Sequence, residues 1–220
     1  MNHTIILISI ANSAGGVRKD IGGLVDMSKI KQLAEDIVVC QRNWDENFSM
    51  PKEHIDYIMD CCTTVPTKQQ EEIYSIVAIT KRKVINKLFM HTYDKLEKSK
   101  TKNKNSQVLA NLLLLYIPGS INKSSFSYGI SVGMSANAAA LAGAELGYKT
   151  GFCKCLDTPG IKEVIEKFSN IKINGDPMML MLGIGKPDDN FDPRDVVVEG
   201  KRLLTQPSYG TKDIKVNWLT

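Results

Sequence analysis

Leu109-Ala110-Asn111-Leu112-Leu113-Leu114-Leu115-Tyr116-Ile117, stopped by Pro118-Gly119, is the stretch that decides the fold. It is short and apolar at nearly every position, as expected of a strand covered on both faces; a half-exposed strand would alternate. Met178 to Ile184 is a second such run, with Gly183 and Gly185 marking its end. Ile73 to Thr80 is β-branched and aromatic and reads as a third strand. Asp213 to Leu219 differs in kind: Ile214, Val216 and Trp218 share one face, so it reads as a half-exposed strand closing a loop-rich segment.

Around these runs the apolar spacing is helical. One helix starts at Ser28, with Ile30, Leu33, Ala34, Ile37 and Cys40 on one face. A second, opened by Pro51 and carrying Glu53 in its first turn, has the stripe Ile55, Ile58, Met59, Cys62. Thr80 is positioned to cap a third, with Val84, Ile85, Leu88 and Phe89 inward. Residues 131–146 form a helix rich in glycine and alanine, closed by Gly147, whose small side chains let another helix come close or leave room for a flat ligand. Thr158-Pro159 opens the last, with Ile161, Val164, Ile165 and Phe168 inward. The order α-α-β-α-β-α-α-β-β describes a mixed class, helices packed around one central sheet.

Composition narrows the function classes. Of 220 residues, 43% are hydrophobic and 24% charged, which excludes a wholly disordered or collagen-like chain. No apolar run approaches the ~20 residues of a spanning helix, so no membrane partner is expected. The net charge of +4 is matched by Lys95, Lys98, Lys100, Lys102 and Lys104 against Glu97, which leaves the remainder neutral. With no aromatic residue interleaved from Lys95 to Gln107, this stretch reads as a solvated loop, and no nucleic acid is expected. Ile5-Ile6-Leu7-Ile8 is too short and lacks the preceding positive charge of a secretory signal. It is either an added strand or part of an extension ahead of Met27. Residues 1–26 are therefore an uncertain N-terminal extension, and 27–220 a single domain.

Cys40, Cys61, Cys62, Cys153 and Cys155 are odd in number and lack zinc-type spacing, so they read as buried free thiols of a cytoplasmic protein, with no metal. G-x-S-x-G, H-E-x-x-H, the phosphate-binding loop of nucleotide hydrolases and G-x-G-x-x-G are all missing, and His3, His54 and His91 are scattered. An enzyme of this composition borrows its chemistry from a cofactor.

An ordered set of segments resembles the FMN-dependent nitroreductase family. Gln41-Arg42-Asn43-Trp44-Asp45-Glu46-Asn47-Phe48 is similar to that family's R-x-S-x-(R/K)-x-F phosphate segment. Val65-Pro66-Thr67-Lys68-Gln69-Gln70-Glu71-Glu72-Ile73-Tyr74 is similar to its P-S-x-x-N-x-Q-P-W loop and strand. The small-residue helix ending Glu145-Leu146-Gly147-Tyr148, and the strand ending Gly183-Ile184-Gly185-Lys186-Pro187, follow in the family's order. The chain departs from the pattern at Trp44, Glu46, Gln70 and Glu72-Ile73-Tyr74.

The resemblance implies an α+β fold with a central, mainly antiparallel sheet flanked by helices, and a C-terminal strand exchanged in a homodimer. It implies FMN as cofactor, NADH or NADPH as reductant, and a small-molecule electron acceptor, such as a nitroaromatic or quinone, reduced through flavin N5. Arg42 suits the phosphate, or else forms a surface ion pair. Its partner is expected in the C-terminal loop: Arg194 first, then Lys201 or Arg202. Asn43, Trp44, Pro66 and Thr67 join the cofactor site by their place in the motifs. Gln70, Asn105 and Gln107 are candidates for the flavin edge, and the backbone at Phe152, Cys153 and Lys154 for N5. No side chain is expected to act as a catalytic acid, base or nucleophile. The alternatives are a non-catalytic flavin- or ligand-binding protein of the same fold, or an interaction protein using the lysine loop.

Overall fold

The computed structural model describes residues 6–8, 27–67, 74–92, 105–118, 125–174, 179–198 and 201–205. One sheet runs in the order β1 (Ile6–Ile8), β2 (Tyr74–Ile79), β3 (Leu112–Pro118), β5 (Leu180–Gly185), β4 (Lys149–Cys153), and every neighbouring pair is antiparallel. The apolar run that reads as a doubly covered strand is β3, at the sheet's centre. Leu112, Leu114 and Tyr116 enter one core and Leu113, Leu115 and Ile117 the other. At about 1.5–3 kcal/mol for each large side chain removed from water, this strand alone ties both layers to the sheet.

Helices α2 (Lys52–Thr63) and α4 (Ser125–Glu145) cover the first face, α3 (Arg82–Phe89) and α5 (Thr158–Phe168) the second. Ile58, Met59 and Cys62 of α2, Val84, Ile85 and Leu88 of α3, and Ile161, Val164 and Ile165 of α5 are buried, as their spacing predicts. The small residues of α4 serve close approach to both α2 and the sheet: a Cβ on Gly143 would lie 2.8 Å from Ile184 Cγ2. Gly147 ends α4 at φ +83°. Its N–H donates to Ala144 O at 2.9 Å and Tyr148 N–H to Gly143 O at 2.9 Å, the paired bonds that close a helix on a left-handed residue. Among the described residues no helix is long and apolar enough to cross a membrane.

Several expectations are corrected. The residue capping α3 is Lys81, in extended conformation, not Thr80. Helix α1 (Met27–Val38) stops before Cys40, and Ile30 is 59% exposed, so its inward face is narrow, centred on Leu33 and Ile37. Helix α4 begins at Ser125, ahead of residue 131. Of the thiols, only Cys62 and Cys153 are buried; Cys40, Cys61 and Cys155 are partly exposed. Three strands go beyond the expected set: β4, and the hairpin of β6 (Asp195–Val198) and β7 (Lys201–Thr205). Strand β4 holds a lysine and a glycine in five residues, too little apolar pattern to announce a strand. The hairpin had a cue, Val196-Val197-Val198 followed by Glu199-Gly200. The apolar run near the N-terminus contributes β1, the added-strand alternative. Gln70, the lysine stretch and the alternating tail Asp213 to Leu219 lie outside the described residues.

Glycines let the 105–111 segment lie directly on β4 and β5. A Cβ at Gly151 would stand 2.9 Å from Gln107 Cβ, at Gly183 2.2 Å from the Gln107 carbonyl oxygen, and at Gly185 2.3 Å from Asn111 Oδ1. The obstacle at Gly183 is backbone and cannot swing aside. Gly183→Ala should therefore cost ~1–3 kcal/mol or more, the scale of an overpacked core. A urea midpoint equal to the parent's would show that the segment shifts freely.

Candidate functional site

Residues 40–45 leave α1 and run along the outer edge of β4, stitched on both sides by backbone. Gln41 N–H donates to Thr150 O at 2.8 Å and Arg42 N–H to Pro193 O at 2.9 Å. Asp45 N–H donates to Lys186 O at 3.0 Å, and Asn43 O accepts from Asp188 N–H at 3.1 Å. The edge strand is thereby covered at this point, which removes an exposed pairing edge. Two asparagines complete the stitching. Asn43 Nδ2 donates to Asp192 O at 2.9 Å and Asp195 O at 3.0 Å. Asn111, the polar residue in the apolar run, donates to Asp45 O and Phe48 O, both at 2.8 Å, and accepts from Lys186 N–H at 2.8 Å. Trp44 is buried, and its Nε1–H donates to Ser106 O at 2.9 Å in the 3₁₀ turn Ser106–Leu109. That turn brings Gln107 beside β4.

The backbone bond from Arg42 N–H to Pro193 O brings together the stretches that carry Arg42 and Arg194, next to Cys40 in the chain. Burial pushes the Cys40 thiol up from its ordinary value, and the charges of Arg194 and Arg42 pull it back, so both guanidinium groups act on one side chain. Arg42 is only 6% exposed. Phe152 O lies 4.0 Å from Cys40 Sγ, and the Gln107 side chain also hydrogen-bonds this thiol. Gln107 Oε1 and Thr150 Oγ1 are buried and have no partner among the described residues. A buried acceptor left that way costs about 1–3 kcal/mol, so these two atoms mark where an additional donor is wanted.

The other candidates are placed as follows. Phe152 is 37% exposed on β4 and Lys154 is exposed just beyond it, its carbonyl accepting from Leu156 N–H at 3.1 Å. Cys153 turns inward to the α3–α5 core, and burial pushes its thiol up to about 12, which keeps it neutral. Asn105 is buried and opens the 3₁₀ turn, its N–H donating to Thr92 Oγ1 at 3.1 Å. Arg202 Nε lies 3.1 Å from the Asp195 carboxylate, so this cation is matched within the β6–β7 hairpin; Lys201 is exposed on β7. Glu46 faces Arg82 at 3.9 Å. Pro66 and Thr67 follow the far end of α2, about 18 Å along the helix axis from its start. His54 bonds Tyr148 OH at 2.7 Å and His91 bonds Asp157 at 3.1 Å, both outside the cluster. Among the described residues no group of His, Cys, Asp and Glu is arranged to hold a metal ion. Sequence reasoning missed Cys40 and Asn111 as parts of this site; a lone asparagine inside an apolar strand was the available signal for the second.

No family model matches the sequence, and no curated protein sequence matches it. Solved structures do match. A nitroreductase with bound FMN from Bacteroides fragilis NCTC 9343 superposes with a TM-score of 0.61 at 13% identity, covering 86% of this chain and 97% of that one. The chain has the nitroreductase fold. A nitroreductase family protein from Clostridium novyi NT gives a TM-score of 0.59 at 12% identity over 74% of this chain and 89% of its own. Iodotyrosine deiodinase, bound to FMN and 3-iodo-L-tyrosine, gives 0.58 at 15% identity over 87% and 99%. The α+β architecture and the antiparallel sheet expected from the sequence are those of this nitroreductase fold.

The stitching of the nitroreductase-type edge is testable through Asn111. Asn111→Leu keeps the volume but strands two carbonyls and one N–H. At about 1–1.5 kcal/mol for each lost bond, stability should fall by ~3–4 kcal/mol in urea unfolding. A loss under 1 kcal/mol would mean that water replaces the side chain.

Proposed function

We propose that the protein is an FMN-dependent oxidoreductase that takes a hydride from NADH or NADPH and passes it to an electron-poor small molecule, a nitroaromatic or a quinone. The observation that carries this reading is the backbone pairing of Arg42 with Pro193, which sets Arg42 and Arg194 on adjoining chains at the edge of β4, in a nitroreductase fold. A phosphate monoester carries close to two negative charges and needs charge-assisted donors once out of water. Two guanidinium groups match that demand, and the backbone bond from Arg42 to Pro193 holds their loops together. FMN, when bound, supplies the centre that accepts and releases the hydride. The chain's part is to hold and orient. Gln107 Oε1 offers an acceptor to a ring-edge N–H, and the exposed strand end at Phe152 and Lys154 offers backbone donors. Burial keeps the Cys153 thiol neutral behind that strand end.

The same reading includes a homodimer. Phe126 is 75%, Ile130 48% and Met134 40% exposed along one face of α4, and Gly129 and Gly133 have open space beside them. Such a face suits a second copy, which could bring Pro66 and Thr67 to the Arg42 cluster from across the interface. The C-terminal tail crossing to the partner belongs to this proposal, as does a cytoplasmic location, which five free thiols suit. A non-catalytic flavin-binding role is favoured by one feature: Trp44 and Glu46, at motif positions, are engaged with Ser106 and Arg82.

Colour separates the two. Purified protein should be yellow and bleach under anaerobic NADH or NADPH; yellow protein that does not bleach would establish the non-catalytic reading. Arg42→Ala and Arg194→Ala should each weaken FMN binding by ~1.5–3 kcal/mol, the scale of a charged hydrogen bond, and leave riboflavin binding unchanged. Equal losses for riboflavin would refute the phosphate assignment. Ile130→Glu should convert a dimer on sizing chromatography to monomer, since a carboxylate cannot be buried there unpaired.

A further inference from the structure

We propose that Arg82 is a positioning residue of the candidate site: it fixes the turn Ser106–Leu109 so that Gln107 Oε1 accepts from the N–H at a flavin's ring edge. The ligand rests on the flavin reading above; the grip on the turn is in the structure. Arg82 opens α3, and its Nη1 donates to Leu109 O at 2.6 Å, at the end of the turn. Thr92, just beyond α3, takes the other end, its Oγ1 accepting from Asn105 N–H at 3.1 Å. The α3 stretch thus splints the turn at both ends. Between them Trp44 Nε1–H donates to Ser106 O at 2.9 Å, and Gly183 leaves the Gln107 carbonyl room on the sheet.

The last carbonyls of a helical turn lack partners within it and take donors from elsewhere. A neutral donor would satisfy Leu109 O; a guanidinium also pairs with a carboxylate, and Glu46 Oε2 lies 3.9 Å from the same Nη1. Arg82 therefore ties the end of the turn to the segment that carries Arg42 and Trp44. Gln107 stands two residues before Leu109. It is nine-tenths buried, and its Oε1 has no partner among the described residues, so a fixed acceptor awaits a donor. An acceptor held this way discriminates: a ligand that supplies the N–H is bound, and one with a methyl group in its place leaves the oxygen unpaired. With the turn released at Leu109, Gln107 can turn to water and the discrimination is lost.

The test compares FMN with its N3-methyl derivative on FMN-free full-length protein, with affinities from flavin fluorescence. The parent should bind FMN about tenfold more tightly than the methylated form, the scale of one buried acceptor left unpaired. Arg82→Gln and Gln107→Leu should each bring that ratio to within about twofold of one. A merely structural role for Arg82 would weaken both ligands together and leave the ratio at the parent's value, which overturns the proposal. Arg82→Lys keeps the charge without the planar fork and should fall between, at about threefold. If Arg82→Gln does not fold, Arg82→Lys decides, and a ratio equal to the parent's overturns the proposal. A parent that binds both forms alike also overturns it, and leaves the flavin reading standing. A parent that binds neither removes the flavin reading and this role with it. A ratio that survives in Gln107→Leu shows that another group reads the N–H, and the proposal falls.

Discussion

The site depends on one piece of docking: an irregular segment, residues 40–45, laid between the edge of β4 and the loop that follows β5. Four backbone bonds hold it, and Asn43 and Asn111 satisfy carbonyls that no regular strand would reach. An edge strand normally leaves its outer donors and acceptors to water. Here one of them, Thr150 O, accepts from Gln41 N–H of this segment. Moving the backbone at Arg42 relative to that at Arg194 would require breaking the Arg42–Pro193 and Asn43–Asp192 bonds together.

Beneath that segment the sheet has been thinned to admit the 3₁₀ turn. Gly151 and Gly183 sit side by side across β4 and β5, and Gln107 lies where their side chains would have been. A sheet interior loses packing at each glycine, and two adjacent ones usually mark the close approach of another backbone. The tryptophan at 44 then clamps the turn from above through Ser106 O, so the turn is held between sheet and segment. Both cores pass through β3 on opposite faces, and β4 adds only Cys153 to them.

What was legible in the sequence follows from how much apolar surface each element buries. Strand β3 and helices α2, α3 and α5 announce themselves because each must hide a stripe of Leu, Ile and Val. Strand β4 does not: Lys149, Gly151 and Phe152 give no stripe, and its identity comes from pairing with β5. Helix α1 is misjudged for the opposite reason, since Ile30 fits a periodic face that finds nothing to pack against. Charge arithmetic pointed to Arg42 and to a partner in the C-terminal loop, but which acid each cation of that loop meets is a tertiary fact. Arg202 meets Asp195 across the β6–β7 pairing, a contact that nothing local in the sequence announces. Cys40 looked like the last residue of a helical stripe, and only the turn out of α1 sets it among the arginines.

Seen through charge, the departures from the nitroreductase phosphate motif compensate one another. Glu46 stands where a basic residue is expected, and a free carboxylate there would work against any anion at Arg42. Arg82 faces it at 3.9 Å, and that guanidinium is further fixed by donating to Leu109 O at 2.6 Å. Asp195, the buried acid nearest the other arginine, is met by Arg202 at 3.1 Å. Glu46 and Asp195 thus each face a cation other than Arg42 and Arg194. Trp44, in place of a small hydroxyl residue, surrenders a direct hydrogen bond to an anion and gains a buried indole that fixes the turn carrying Gln107.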